Sequence, residues 1–99
     1  MKKSLSDYLL TLQELKPLLE KKYKVSEISV FGSFVRGDET QTSDLDILVS
    51  YSEIPDLFSF IELMQFLEEI LRIKVDLVMR DDLKPRIAKH ILAEKIDIT

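Results

Sequence analysis

Residues 31–49 run Phe31-Gly32-Ser33-Phe34-Val35-Arg36-Gly37-Asp38-Glu39-Thr40-Gln41-Thr42-Ser43-Asp44-Leu45-Asp46-Ile47-Leu48-Val49. Both glycines of the chain lie in this stretch, five positions apart. Upstream, Ile28-Ser29-Val30-Phe31 has a short strand pattern and leads directly into Gly32-Ser33. Downstream, Leu45 to Val49 is mostly apolar, as expected of a strand buried on both faces. A strand that ends in Gly-Ser lets the backbone come close to a bulky anion, and the next turn aims N–H groups at it. Ser33 adds a hydroxyl donor. Arg36, one helical turn on, adds a planar fork suited to phosphate oxygens. Taken alone, the pattern also fits an ordinary turn followed by a surface arginine.

Toward the amino terminus, Ser4 or Ser6 can cap a first helix that carries Leu5, Leu9, Leu12 and Leu19 at helical spacing. Pro17 should kink or restart it, having no N–H and clashing with the preceding turn. Beyond the quoted stretch, Asp56 follows Pro55 as the N-cap of a helix to about Leu71. Its apolar set is wider than one stripe: Leu57, Phe58, Phe60, Ile61, Leu63, Met64, Phe66, Leu67, Ile70 and Leu71. The surplus needs another cover, in a partner or a second copy. Ile73 to Met79 is a third strand alternating around Lys74 and Asp76. Asp81 or Asp82 then caps a last helix to roughly Leu92, and Ile96-Asp97-Ile98 forms an edge strand. The order α-β-(short α)-β-α-β-α-β predicts an α/β (α+β) domain with a small mixed sheet and helices mainly on one face.

The 99 residues predict one domain, 1–99, with no repeats or Gly/Ser linkers. A hydrophobic share of 45% with 32% charged residues is a globular balance and argues against disorder. The net charge of −4 speaks against a general nucleic-acid coater, so no direct nucleic-acid binding is expected. Without cysteine, disulfide frameworks, zinc knuckles and thiol catalysis are excluded. The start, MKKSLSDYLL, has no apolar run of signal-peptide length and nothing reaches membrane-spanning length, which predicts a soluble cytoplasmic domain. Charge is uneven: residues 25–79 carry three basic and eleven acidic side chains, and the flanks are net basic. The acidic middle suits a cation-dependent site.

Two features of that middle carry chemistry. Asp44 and Asp46 open the buried strand, and a period of two puts them on one face roughly 7 Å apart. Hard oxygen donors at this spacing suit Mg²⁺, which prefers carboxylates, waters and substrate phosphates. Alternatively, Asp44 belongs to the preceding turn and only Asp46 enters the strand. Asp76 sits in the middle of a Val/Leu strand, where a carboxylate needs a partner. Either its strand neighbours the Asp44/Asp46 strand and a cation between the carboxylates is that partner, or it pairs with Lys74, two residues back on the same face. Three carboxylates next to a phosphate turn are the parts of a two-metal phosphoryl or nucleotidyl transfer site.

Gly32-Ser33, Arg36-Gly37, Ser43-Asp44-x-Asp46 and the later Asp76 resemble the nucleotidyltransferase superfamily of DNA polymerase β and kanamycin nucleotidyltransferase. The short chain and the run FGSFVRGDETQTSDLDILV resemble its minimal nucleotidyltransferases, the MNT or MntA-like antitoxins. The resemblance covers nearly the whole chain. It implies the polymerase β-like fold, two Mg²⁺ ions, ATP as substrate, and transfer of AMP to a tyrosine of a HEPN-domain RNase toxin. By position it implies that Gly32, Ser33, Arg36 and Ser43 bind the nucleotide. Asp44 and Asp46 would ligate both metals, and Asp76 would be the third, catalytic carboxylate. Lys24 departs from the pattern, because relatives often close the first helix with glycine, and a left-handed lysine there costs about 1 kcal/mol.

Other residues have plainer readings. His90 falls on a helix with Lys84, Arg86 and Lys89, a pattern that fits a solvated face; the alternatives are a catalytic role for His90 and a contact of the basic set with ATP phosphates or an acidic partner. Phe34 and Tyr51 could flank an adenine or simply pack. Two rival functions remain beside the enzyme: a nucleotide-binding antitoxin that neutralises its partner by contact, and a small-molecule transferase, which would need an acceptor domain that 99 residues do not provide.

Overall fold

The computed structural model describes residues 3–99. Met1 and Lys2, part of the stretch argued against a signal peptide, lie outside the described residues. Helix α1 spans Leu5–Tyr23. Ser4 caps it in a reciprocal capping box with Asp7, which settles the choice between the two serines. The helix continues through Pro17 rather than restarting. Proline removes one backbone bond, and the burial of Leu12 and Leu19 on either side holds the helix together. Lys24 closes α1 in the left-handed region at φ 62°, as its place in the sequence implies.

Strand β1 covers Val25–Phe31, three residues more than the apolar run suggested, because Val25 pairs with Tyr51 across a bulge. A four-residue helix α2, Ser33–Arg36, leads to β2, Leu45–Tyr51. Asp56 caps α3, Leu57–Leu71, and accepts from the Ser59 N–H at 2.8 Å. Strand β3 is Val75–Met79. The last helix differs from expectation. Asp81 and Asp82 fall in a 3-10 turn, Arg80–Asp82, and α4 runs Pro85–Glu94 with Lys84 at its N-cap and no side-chain cap. Proline favours that first position because its φ is already helical. Strand β4, Ile96–Asp97, lies at the sheet edge.

The sheet order is β3-β2-β1-β4, with β2 and β3 parallel and the other two pairs antiparallel, the mixed α/β fold anticipated. Register assigns the faces. Val30, Ile47 and Leu77 stand side by side and point into the main core with Tyr8, Leu12, Leu19, Leu63, Leu67 and Leu71 of α1 and α3. The alternate residues Phe31 and Leu48 point the other way and meet Ile91 of α4. Two helices therefore cover one face and a single short one covers part of the other, leaving the Asp46–Asp76 corner open to solvent. The apolar surplus of α3 is real: Leu57 and Phe58 stand 69% and 83% exposed beside Ile54 at 86%. Among the described residues, no helix is long and apolar enough to cross a membrane.

Candidate active site

The site forms where β1 ends and β2 begins. Gly32 leaves β1 at φ 84°, ψ −154°, a backbone region essentially reserved for glycine. A Cβ there would lie 1.9 Å from Oδ2 of Asp46, so the bare backbone is pressed against that carboxylate. The chain then turns tightly, with the Gly32 carbonyl accepting from Val35 and Arg36 at 3.0 and 3.1 Å. Gly37, at φ 82°, ends the turn and donates to the Ser33 carbonyl at 2.9 Å. Phe34 anchors α2 in the core, edge-on to Tyr8 with ring centroids 5.6 Å apart, so it packs rather than lying free for an adenine. Ser33, partly exposed, opens the turn.

On β2, Asp46 stands between Phe31 of β1 and Asp76 of β3 in exact register. Adjacent strands are roughly 4.8 Å apart, so the two aspartates share one face at neighbouring positions. Asp76 forms no ion pair with Lys74 among the described residues. Burial first, and then the like charge of Asp76, push the Asp46 carboxyl up to about 6; Asp44 adds to the rise and Arg36 opposes it. β2 begins at Leu45, so Asp44 sits just outside the strand, as the alternative reading had it. Among the described residues, no three Asp, Glu or His side chains converge into a ready-made metal cage. The donor set still fits a hard cation. Mg²⁺ uses one or two protein carboxylates and fills its octahedron with water and substrate phosphate. Ser43 ties the preceding loop: its hydroxyl accepts from the Thr40 N–H at 2.8 Å, and its own N–H donates to the Thr40 carbonyl at 3.2 Å.

Arg36 points across the mouth of the site. Its Nη1 donates to both carboxylate oxygens of Glu94 at 3.2 Å, and its Nε donates to Asp38 at 3.3 Å. Hydrogen bonding to Glu94 and then to Asp38 holds the guanidinium charged. Glu94 also accepts from the Gly32 N–H at 2.7 Å. A cavity of about 390 Å³ opens between these groups, lined by Gly32, Arg36 and Asp46 on one side and by Arg86, His90 and Glu94 of α4 on the other. The sequence allowed His90 a catalytic role and the basic set of α4 a contact with ATP phosphates, but favoured a solvated face for both, and it pointed to no role for Glu94. His90 is exposed, yet it borders this cavity. The spacing 86, 90, 94 was the available signal, since residues four apart share one helix face. Tyr51 is remote from the site, at the far end of β2, where burial pushes its hydroxyl up to about 12.

Residues 13–99 match the family described as Polymerase beta, Nucleotidyltransferase. The protein adenylyltransferase MntA of Thermococcus cleftensis is 46% identical over 95 residues, covering 89% of this chain and 96% of that protein. A solved structure of a protein assigned as a minimal nucleotidyltransferase superposes with a TM-score of 0.79 at 33% identity, covering 95% of both chains. A toxin–antitoxin crystal structure with AMP-PNP superposes with a TM-score of 0.72 at 26% identity, covering 88% of this chain and 70% of that one.

Proposed function

The chain belongs to the polymerase β nucleotidyltransferase family, and from that membership we propose that it is a Mg²⁺-dependent protein adenylyltransferase, the antitoxin of a pair, moving AMP from ATP to a tyrosine hydroxyl of a HEPN-type toxin. The observation that carries the reading is the in-register Asp46–Asp76 pair beside the Gly32–Arg36 turn. That it is a nucleotidyltransferase follows from the family itself; the acceptor and the metal are the proposal. Its relatives, an MntA protein adenylyltransferase and a toxin–antitoxin structure with AMP-PNP, support a protein acceptor in such a pair and an adenine nucleotide. Residues 1–99 act as one minimal domain.

The Gly32 N–H, Ser33 and the Arg36 fork bind and orient the triphosphate, and Ser43 fixes the loop that presents Asp44. Asp44, Asp46 and Asp76 would hold two Mg²⁺ ions, which supply Lewis-acid polarisation of the phosphate and charge neutralisation. Asp76, the more exposed of the β-strand pair, takes the proton of the acceptor hydroxyl. The acceptor oxygen bonds to the α-phosphorus as the bond to the bridging oxygen breaks, and pyrophosphate leaves. Exposed Ile54, Leu57 and Phe58, at the opposite end of β2 from Asp46, supply apolar surface for a protein partner or a second copy. The same surface favours the second reading, an antitoxin that acts by contact alone.

Intact-mass spectrometry of the partner separates the two. Wild type with ATP and Mg²⁺ adds the mass of whole AMP units; Asp44→Asn/Asp46→Asn binds the partner and leaves its mass unchanged. A partner inhibited equally by both versions and never modified refutes the enzyme.

A further inference from the structure

We propose that Glu94 is an internal stand-in for a nucleotide phosphate: its carboxylate holds the anion-binding groups of the site, and an incoming triphosphate displaces it. This rests on the nucleotide reading of the Gly32–Arg36 turn. The two donors that Glu94 engages are the Gly32 N–H at 2.7 Å and Arg36 Nη1 at 3.2 Å to each oxygen. These are the groups that suit a phosphate oxygen. Carboxylate and phosphate compete for the same charged fork and the same backbone donor.

The contact is built rather than incidental. Glu94 is the last residue of α4, and Ile91 one turn earlier is packed against Phe31 and Leu48. Three residues on, Asp97 accepts from the Ser29 hydroxyl at 2.6 Å and pairs with β1. The backbone on both sides of Glu94 is thereby fixed to β1, which ends at the Gly32 turn. The Glu94 side chain is 25% exposed and its Arg36 partner 52% exposed, so the arm itself can leave without unpacking the fold. A polyanion cannot share the site with it, because Glu94, Asp46 and the phosphates would crowd like charges around one arginine.

The consequence is an affinity set by competition. Apparent nucleotide affinity equals the intrinsic affinity multiplied by the fraction of molecules in which Glu94 has let go. Glu94→Gln keeps the size and removes the charge, so it tightens binding about three- to tenfold and lowers the KM for ATP without raising kcat. A carboxylate that merely tied α4 to the β1 turn would do the opposite: its loss would loosen the site and weaken binding.

The test is titration calorimetry of the full chain with inorganic triphosphate in chelator, and with ATP and Mg²⁺, for wild type, Glu94→Gln and Glu94→Ala. In parallel, the Gly32 amide resonance of wild type is followed on adding triphosphate. Tighter binding in both variants, with the Gly32 amide shifting on ligand addition, supports displacement. Equal or weaker binding in the folded variants overturns it, as does a wild type that binds triphosphate with the Gly32 amide unmoved. If wild type binds neither ligand, the nucleotide reading of the site falls and displacement with it.

Discussion

Asp46→Asn should make the metal-free protein more stable at neutral pH and no more stable at pH 4. The folded carboxyl lies at about 6 against an ordinary 3.8, so folding holds its proton more tightly than the unfolded chain does. Stability from this group is fully present below about pH 4 and is lost as pH rises through 6, because the ionised form is pressed against the Gly32 backbone beside Asp76. The full displacement corresponds to about 3 kcal/mol at 1.36 kcal/mol for each pH unit. Asp46 keeps partial access to water, and screening reduces this to about 1–1.5 kcal/mol. Asparagine has no charge to lose. The variant should therefore lead wild type by that amount at pH 7.5, about 5–10 °C in Tm for a domain this small, and by nothing at pH 4. Urea denaturation in chelator at the two pH values measures the gap. A gap that is the same at both, or a wild type that is the more stable at pH 7.5, would refute the reasoning. Mg²⁺ with ATP should narrow the gap by stabilising wild type alone.

Gly32→Ala should lose about 1–3 kcal/mol from backbone strain alone, since its φ of 84° suits only glycine. It should also abolish nucleotide binding as the new Cβ evicts the Asp46 carboxylate, which denaturation and calorimetry together would show. Lys24→Gly, at the other end of β1, relieves a left-handed lysine worth about 1 kcal/mol and gives back about 0.5–1 in unfolded-chain entropy. A small net gain in urea midpoint with unchanged activity is expected; a loss would mean that Lys24 does more than close α1.

Much of this was legible because the local signals were strong. Leu45-Asp46-Ile47-Leu48-Val49 can only be a buried strand, and Pro55-Asp56 marks the start of α3 to the residue. The extra length of β1 was not, because Val25, Ser26 and Glu27 are joined to the sheet by a bulge that pairing partners, not propensity, create. Asp81 and Asp82 imitate a cap that Pro85 then makes unnecessary. In the site, the Gly-Ser turn and the aspartate pair announce themselves by residue type at short spacing. Glu94 does not: its partners lie 62 and 58 residues away, and a single glutamate late in a helix looks like any solvated one.

The side-by-side placement of Asp46 and Asp76 depends on one choice of pairing between two parallel strands, begun where the Leu45 N–H meets the Lys74 carbonyl at 2.9 Å. A slip of one residue would turn Asp76 into the core and Val75 or Leu77 out toward Asp46. On the proposed role of the two aspartates, misaligned molecules are silent as well as unstable. On that reading, turnover counts only chains whose β3 has docked in the right frame, and specific activity doubles as a measure of folding accuracy.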